Sequence, residues 1–93
     1  MFRLLAFKVF LHPKAAKALE KIDAATKARI KVALKELAGN PEKVGKQLKL
    51  SDFYSLRIGD YRAIFEINNE QKHVVVLFVG HRRNVYDDFT KML

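Results

Sequence analysis

Apolar and polar positions alternate most regularly between Tyr54 and Ile67, in the run YSLRIGDYRAIFEI. A two-residue period marks strands with one face toward a core. Gly59-Asp60 interrupts the run as a two-residue turn with glycine at its first central position, the signature of a tight hairpin. That turn sets Ile58 opposite Tyr61, Leu56 opposite Ala63 and Tyr54 opposite Phe65, a wholly apolar face. On the other face Arg57 lies directly across from Arg62, with Ser55 beside Ile64. Like charges opposed across a strand pair are destabilising, unless an anion lies between them, so the pair marks a candidate phosphate site. Register decides the matter, because a slip of one residue would turn both arginines toward the core.

The flanking pattern predicts the remaining elements. Residues 2–11 are rich in Phe, Leu and Val and read as a first strand. Pro13 suits the first turn of a helix, in which Ala15, Ala18, Leu19 and Ile22 form one apolar stripe. Asp23 is an N-cap for a second helix, where Ile30, Ala33, Leu34 and Leu37 repeat the spacing until Gly39 and Asn40-Pro41 close it. The short link predicts an antiparallel helical hairpin. Residues 41–52, with Lys43, Gly45, Lys46 and Lys49, read as a basic loop. Strands near 53–58 and 61–67 follow, then a turn over Asn68 to Lys72 and an apolar run from His73 to Val79, ended by Gly80. Such a run suits the middle of a sheet. Val85, Phe89 and Met92 lie at helical spacing and predict a short C-terminal helix. The expected fold class is α+β: an N-terminal strand, a helical hairpin covering one face of the sheet, a three-stranded antiparallel meander and the terminal helix.

A chain of 93 residues is enough for one core and not two, so residues 1–93 are read as a single domain. Lys and Arg outnumber Asp and Glu by 18 to 10, giving +8, a field that attracts polyanions; the plainer alternative is that the charge serves solubility. The six lysines from Lys14 to Lys35 decorate helix faces, as a solvated surface or an electrostatic collar. Cysteine is absent, which removes disulfide and thiolate chemistry. The opening FRLLAFKVFL carries Arg3 and Lys8 and runs into His12-Pro13 without a small-residue cleavage site. No stretch approaches the length of a bilayer span, so the expectation is a soluble cytoplasmic protein. His12 and His73 lack companions at metal-ligand spacing. They read as a helix-start and a sheet-edge residue, with no metal or cofactor expected.

The segments LHPKAAKALEKI, KQLKL, YSLRIGDYRAIFEI and VGHRRNVYDDF together resemble the RelE/ParE toxin superfamily, and its RelE branch more closely. The resemblance runs over nearly the whole chain. It implies a RelE-like microbial RNase-type fold and a toxin of a type II toxin–antitoxin module, neutralised by a RelB-like antitoxin. It further implies a ribosome-dependent endoribonuclease that cuts mRNA in the ribosomal A site. In that family the 2′-OH of the substrate attacks without a metal, cations stabilise the transition state and a tyrosine stacks on a base. The matching residues here are Arg62 in GDYR, Arg82 in GHRR and Tyr86 in NVY, while Arg57 stands at a position that is basic in the family. Lys46 and Lys49 match a basic pair that grips RNA backbone, and Arg83 is an RNA or antitoxin contact. One departure matters. Ser55 stands where the RelE branch has a lysine acting as general base, and a lone serine cannot take a 2′-OH proton near pH 7. His81 is the substitute that the resemblance offers, because an imidazole titrates in the useful range.

Each of these residues also has a structural reading. Arg57 and Arg62 could be neutralised by Asp60 or Glu66, and Tyr86 could pack with Val85 and Phe89. Tyr54 and Tyr61 fall on the apolar hairpin face and belong to the core. At the level of function the alternatives are a ParE-like inhibitor of DNA gyrase on the same fold, and a decayed relative that binds RNA or antitoxin without cutting. The joint presence of Arg62, Arg82 and Tyr86 favours the nuclease, and Ser55 keeps the decayed relative open.

Overall fold

The computed structural model describes residues 6–92. Its elements are β1 (Lys8–Leu11), α1 (Pro13–Glu20), α2 (Ala24–Glu36), α3 (Pro41–Val44), β2 (Lys46–Gln47), β3 (Phe53–Ile58), β4 (Tyr61–Asn68), β5 (His73–His81) and α4 (Val85–Met92). The strands form one sheet in the order β1-β5-β4-β3-β2. The α+β expectation therefore holds, with the meander β3-β4-β5 at the centre of the sheet.

The β3–β4 hairpin adopts the expected register: Tyr54 pairs with Phe65, Leu56 with Ala63, Arg57 with Arg62 and Ile58 with Tyr61. Gly59 has φ +59°, a value that costs glycine nothing and fits the first central position of a tight hairpin turn. One face of the sheet carries Leu56, Ala63, Phe65, Val74, Val76 and Val79 into the main core. The helical hairpin covers this face with Ala15, Leu19, Ile30, Leu34 and Leu37, and Tyr54 and Tyr61 pack at its edge. The rings of Tyr54 and Phe65 stack with centroids 5.5 Å apart, which helps to hold the register.

Both helix starts follow from their caps. His12 is the N-cap of α1, its Nδ1 accepting from the Lys14 N–H at 3.1 Å. Asp23 caps α2 by accepting from the Thr26 N–H at 3.0 Å. His73, at the start of β5, meets the Phe10 ring edge-on at 4.9 Å.

The sheet is mixed, with β1 parallel to β5, a pairing that the sequence pattern left open, and three expectations are corrected. Parallel strands need a long crossover between them, and the intervening helices provide it. The first strand spans Lys8–Leu11 rather than residues 2–11, since His12 already caps α1; residues 2–5 of that expectation lie outside the described residues. Gly80 does not end the central strand, as β4 still pairs with it through His81. Finally, residues 41–52 are not all loop. Asn40 accepts from the Lys43 N–H and Pro41 occupies the first turn, which starts the one-turn helix α3. β2 then pairs antiparallel with β3, Lys46 against Ser55 and Gln47 against Tyr54.

The second face of the sheet is only partly covered. A bulge in β5 leaves Leu77 without a β4 partner, since Ile64 pairs with Phe78 and Phe65 with Val76. Leu77 and Phe78 pack beside a small cluster of Ile64, Val85 and Phe89, which docks α4 on this face. The helices thus lie on both sides, and the part of the second face beyond α4 stays open.

Two predictions follow from these contacts. A methyl group on Gly45 would collide with the ring of Phe65, with Cε1 at 2.9 Å, and that ring is fully buried. Gly45→Ala should therefore destabilise the protein by about 1–3 kcal/mol in chemical denaturation. The Thr26 N–H holds the Asp23 carboxyl below the usual carboxylate range. A folded-state pKa lowered in this way gives stability that is present above the unfolded pKa and is lost as pH falls through the folded one. Asp23→Ala should thus lower the melting temperature at neutral pH, and the gap to wild type should close on acidification.

Candidate functional site

The open part of the second face forms a depression of about 510 Å³. Three pieces of chain build it. The α3–β2 segment supplies Lys43, Val44 and Lys46, the β3–β4 hairpin supplies Ser55, Arg57 and Arg62, and α4 supplies Tyr86. Strand alternation explains the hairpin's share: positions 55, 57, 62 and 64 point away from the main core, and Ile64 at the far end anchors α4. Gly80 stands opposite Arg62 on β5 and adds no side chain. Lys46 joins because it pairs directly with Ser55 and so shares its face.

Four cations and a phenol thus surround one depression that no carboxylate or imidazole lines. Arg62 is half-buried and its Nη1 donates to the Gly59 carbonyl at 3.1 Å and the Tyr61 carbonyl at 2.9 Å. The guanidinium is therefore fixed by the turn while its other donors remain available to an anion. Arg57 is exposed. Neither arginine has the acidic partner considered from sequence. Asp60 instead forms the one ion pair among the described residues, with Arg82 at 3.6 Å, and Glu66 pairs with Phe53 away from both. Tyr86 is 40% exposed and lies outside the cluster of Val85 and Phe89, so its ring is presented to the depression.

Not every expected residue reaches this place. His81 does not: it pairs with Tyr61 on the opposite face of the sheet, meets that ring edge-on at 5.5 Å, and its Nδ1 accepts from the Arg83 N–H. Two-residue periodicity is the reason, since His81 follows Gly80, which faces the depression, by one position. Arg82 sits beside the hairpin turn, with its N–H donating to the Asp60 carbonyl at 2.7 Å. Lys49 and Arg83 are exposed but are not among the lining residues. Lys43 is the residue that sequence reading missed as a site member. Its signal was present in Asn40-Pro41, an N-cap followed by a first-turn proline, which also reads as the end of α2.

Known proteins supply an independent view of the same chain. A family model described as the ParE toxin of the type II toxin–antitoxin system parDE matches residues 9–86. Toxin RelG of Mycobacterium tuberculosis is 38% identical over 61 residues, which cover 63% of this chain and 70% of that protein. Among solved structures, the RelBE2 toxin–antitoxin complex of M. tuberculosis matches with a TM-score of 0.76 and 30% identity, covering 83% of this chain and 99% of that one. An arginine double mutant of the Escherichia coli toxin RelE in the free state matches with a TM-score of 0.74 and 26% identity, covering 95% and 98%.

The opposed arginines give a test with two readouts of different sign. Arg57→Ala removes a like-charge pairing, so folding stability should stay level or rise by up to about 0.5 kcal/mol in urea unfolding. The same variant should bind a short single-stranded RNA more weakly, with a salt dependence shallower by about one unit of slope. An arginine kept for structural reasons would give the opposite pattern, lost stability with unchanged binding.

Proposed function

The chain belongs to the RelE/ParE superfamily of toxins from type II toxin–antitoxin systems, and from that premise we propose that it is a ribosome-dependent endoribonuclease cutting mRNA in the A site. The observation that carries this reading is the depression itself. Arg57, Arg62, Lys43 and Lys46 converge around it with an exposed tyrosine. Preorganised donors aimed at developing charge supply much of the rate in phosphoryl transfer, and a flat ring beside them suits an unstacked RNA base.

In this reading the scissile phosphate sits between Arg57 and Arg62, which face each other across the hairpin. Arg62, pinned by two turn carbonyls, contributes a fixed donor, and Arg57 a mobile one. Tyr86 stacks on the base that enters with the phosphate, while Lys43 holds the backbone next to it and Lys46 lies on the same face as Ser55. Arg82 joins from the turn by leaving Asp60. That exchange costs little, because both partners are more than half exposed and such pairs are worth roughly 0–1 kcal/mol. Lys49 and Arg83 lie outside the depression and serve as contacts to more distant RNA or ribosome. No residue in this scheme requires a metal or cofactor, and the site of action is the cytoplasm, where ribosomes are.

The partner in this reading is a RelB-like antitoxin. The RelBE2 structure that this chain resembles is itself a toxin–antitoxin complex, and a charge of +8 suits an acidic segment. A second reading, inhibition of DNA gyrase, has one specific observation in its favour, the ParE description of the family model.

One experiment separates the two. Purified toxin on programmed ribosomes should truncate mRNA in the A site, and Arg62→Ala should slow the cut by about 10²–10³-fold. Intact mRNA together with inhibited gyrase supercoiling would replace the nuclease reading with the second one. Intact mRNA with unaffected gyrase would leave a decayed relative.

A further inference from the structure

Attack by a 2′-OH needs a group that takes its proton, and the depression offers few. Guanidinium groups stay protonated in proteins, which excludes Arg57 and Arg62. Ser55 is not a base near neutral pH, and His81 lies across the sheet. Among the lining residues this leaves Lys43, Lys46 and the Tyr86 phenol. Their placement differs. Lys43 projects from the one-turn helix α3 at the rim, and Tyr86 from α4 on the other side. Lys46 alone belongs to the sheet floor, as the direct cross-strand partner of Ser55. Residues paired in this way have Cβ atoms about 4.5–5.5 Å apart on the same face. Ser55 in turn pairs with Ile64, one step along the face from the opposed Arg57 and Arg62.

We propose that Lys46 is the proton acceptor of the cleavage reaction, reaching from β2 over the short side chain of Ser55 to the 2′-OH beside the phosphate held by Arg57 and Arg62. The assignment rests on the nuclease reading above. Lysine side chains serve as bases in enzyme sites, and here Lys46 shares its face with Ser55 and the two arginines. In the step, the Nζ lone pair takes the 2′-OH proton as that oxygen bonds to phosphorus. The bond from phosphorus to the 5′-oxygen breaks with its electron pair, and the 5′-oxygen takes a proton from water. The hydroxide left behind takes the proton from Nζ, which returns the amine to its starting state. The products are a 2′,3′-cyclic phosphate and a free 5′-hydroxyl. Ser55 is part of the arrangement, since a longer side chain there would occupy the space that the lysine crosses.

The test moves the amine across the strand pair. Cleavage of ribosome-bound mRNA is compared for wild type, Lys46→Arg, Lys46→Ser and the double variant Lys46→Ser with Ser55→Lys, with ribosome binding measured alongside. The Lys46→Arg variant keeps charge and fold but loses the titratable amine. It should bind ribosomes as wild type does and cut about 10²–10⁴-fold more slowly. Lys46→Ser should be equally impaired, and the double variant should recover at least ten-fold of that loss, because the amine returns to the same spot from β3. A Lys46→Arg variant that cuts at the wild-type rate, or a double variant no better than Lys46→Ser, would overturn the assignment while leaving the nuclease reading in place. A wild type that cuts nothing on ribosomes would overturn the nuclease reading itself, and this assignment with it.

Discussion

Arg57 and Arg62 face each other across a strand pair, a placement that is unfavourable when considered alone. The surrounding structure makes the alternative worse. Moving β3 by one residue would bring Tyr54 and Leu56 out to water and carry Arg57 into the core, and moving β4 would do the same with Ala63, Phe65 and Arg62, into a core that holds no polar side chain among the described residues. Fully burying one large apolar side chain is worth about 1.5–3 kcal/mol, and several would be lost together. The repulsion between two exposed cations is an order of magnitude smaller. The core therefore dictates the register, and the register dictates that two positive charges share one open face. A cationic site is held in place by an apolar one on the other side of the same strands.

The same logic extends outward from the hairpin. Gly45 passes close against Phe65, which lets β2 lie flat at the edge and sets Lys46 beside Ser55. On the opposite flank the β5 bulge turns Leu77 and Phe78 toward Val85 and Phe89, so α4 docks where Tyr86 can border the depression. Neither flank binds anything by itself. Each converts apolar packing into the position of one polar side chain, and the elements that carry function are small ones at the margin of the sheet.

How much of this was legible in the sequence varies with how local the cause is. The hairpin was readable because its alternation and its glycine turn are contiguous. The caps at His12 and Asp23 and the α4 stripe of Val85, Phe89 and Met92 were readable for the same reason. The parallel pairing of β1 with β5 was not, because it joins residues more than sixty positions apart (Lys8 with His73) and leaves no periodic mark. The two-residue strand β2 was missed because two residues carry no period at all. His81 is the instructive case. The chemistry of an imidazole recommended it, and the resemblance placed it near Arg82, yet a single step of strand alternation sets it on the far side of the sheet. Counting pairs from Arg62 to Gly80 would have shown this, had the β4–β5 register been known.

The central claim is that RNA enters on the open face, between α3–β2 and α4. The most direct test is to titrate an uncleavable RNA trinucleotide, with 2′-deoxyribose at the cleavage position, into ¹⁵N-labelled protein and to follow backbone amide shifts by NMR. Perturbations gathered at Lys43, Lys46, Ser55, Arg57, Arg62 and Tyr86 are the predicted result. Perturbations centred on the α1–α2 face or around Tyr61 and His81, with the open face silent, would contradict it.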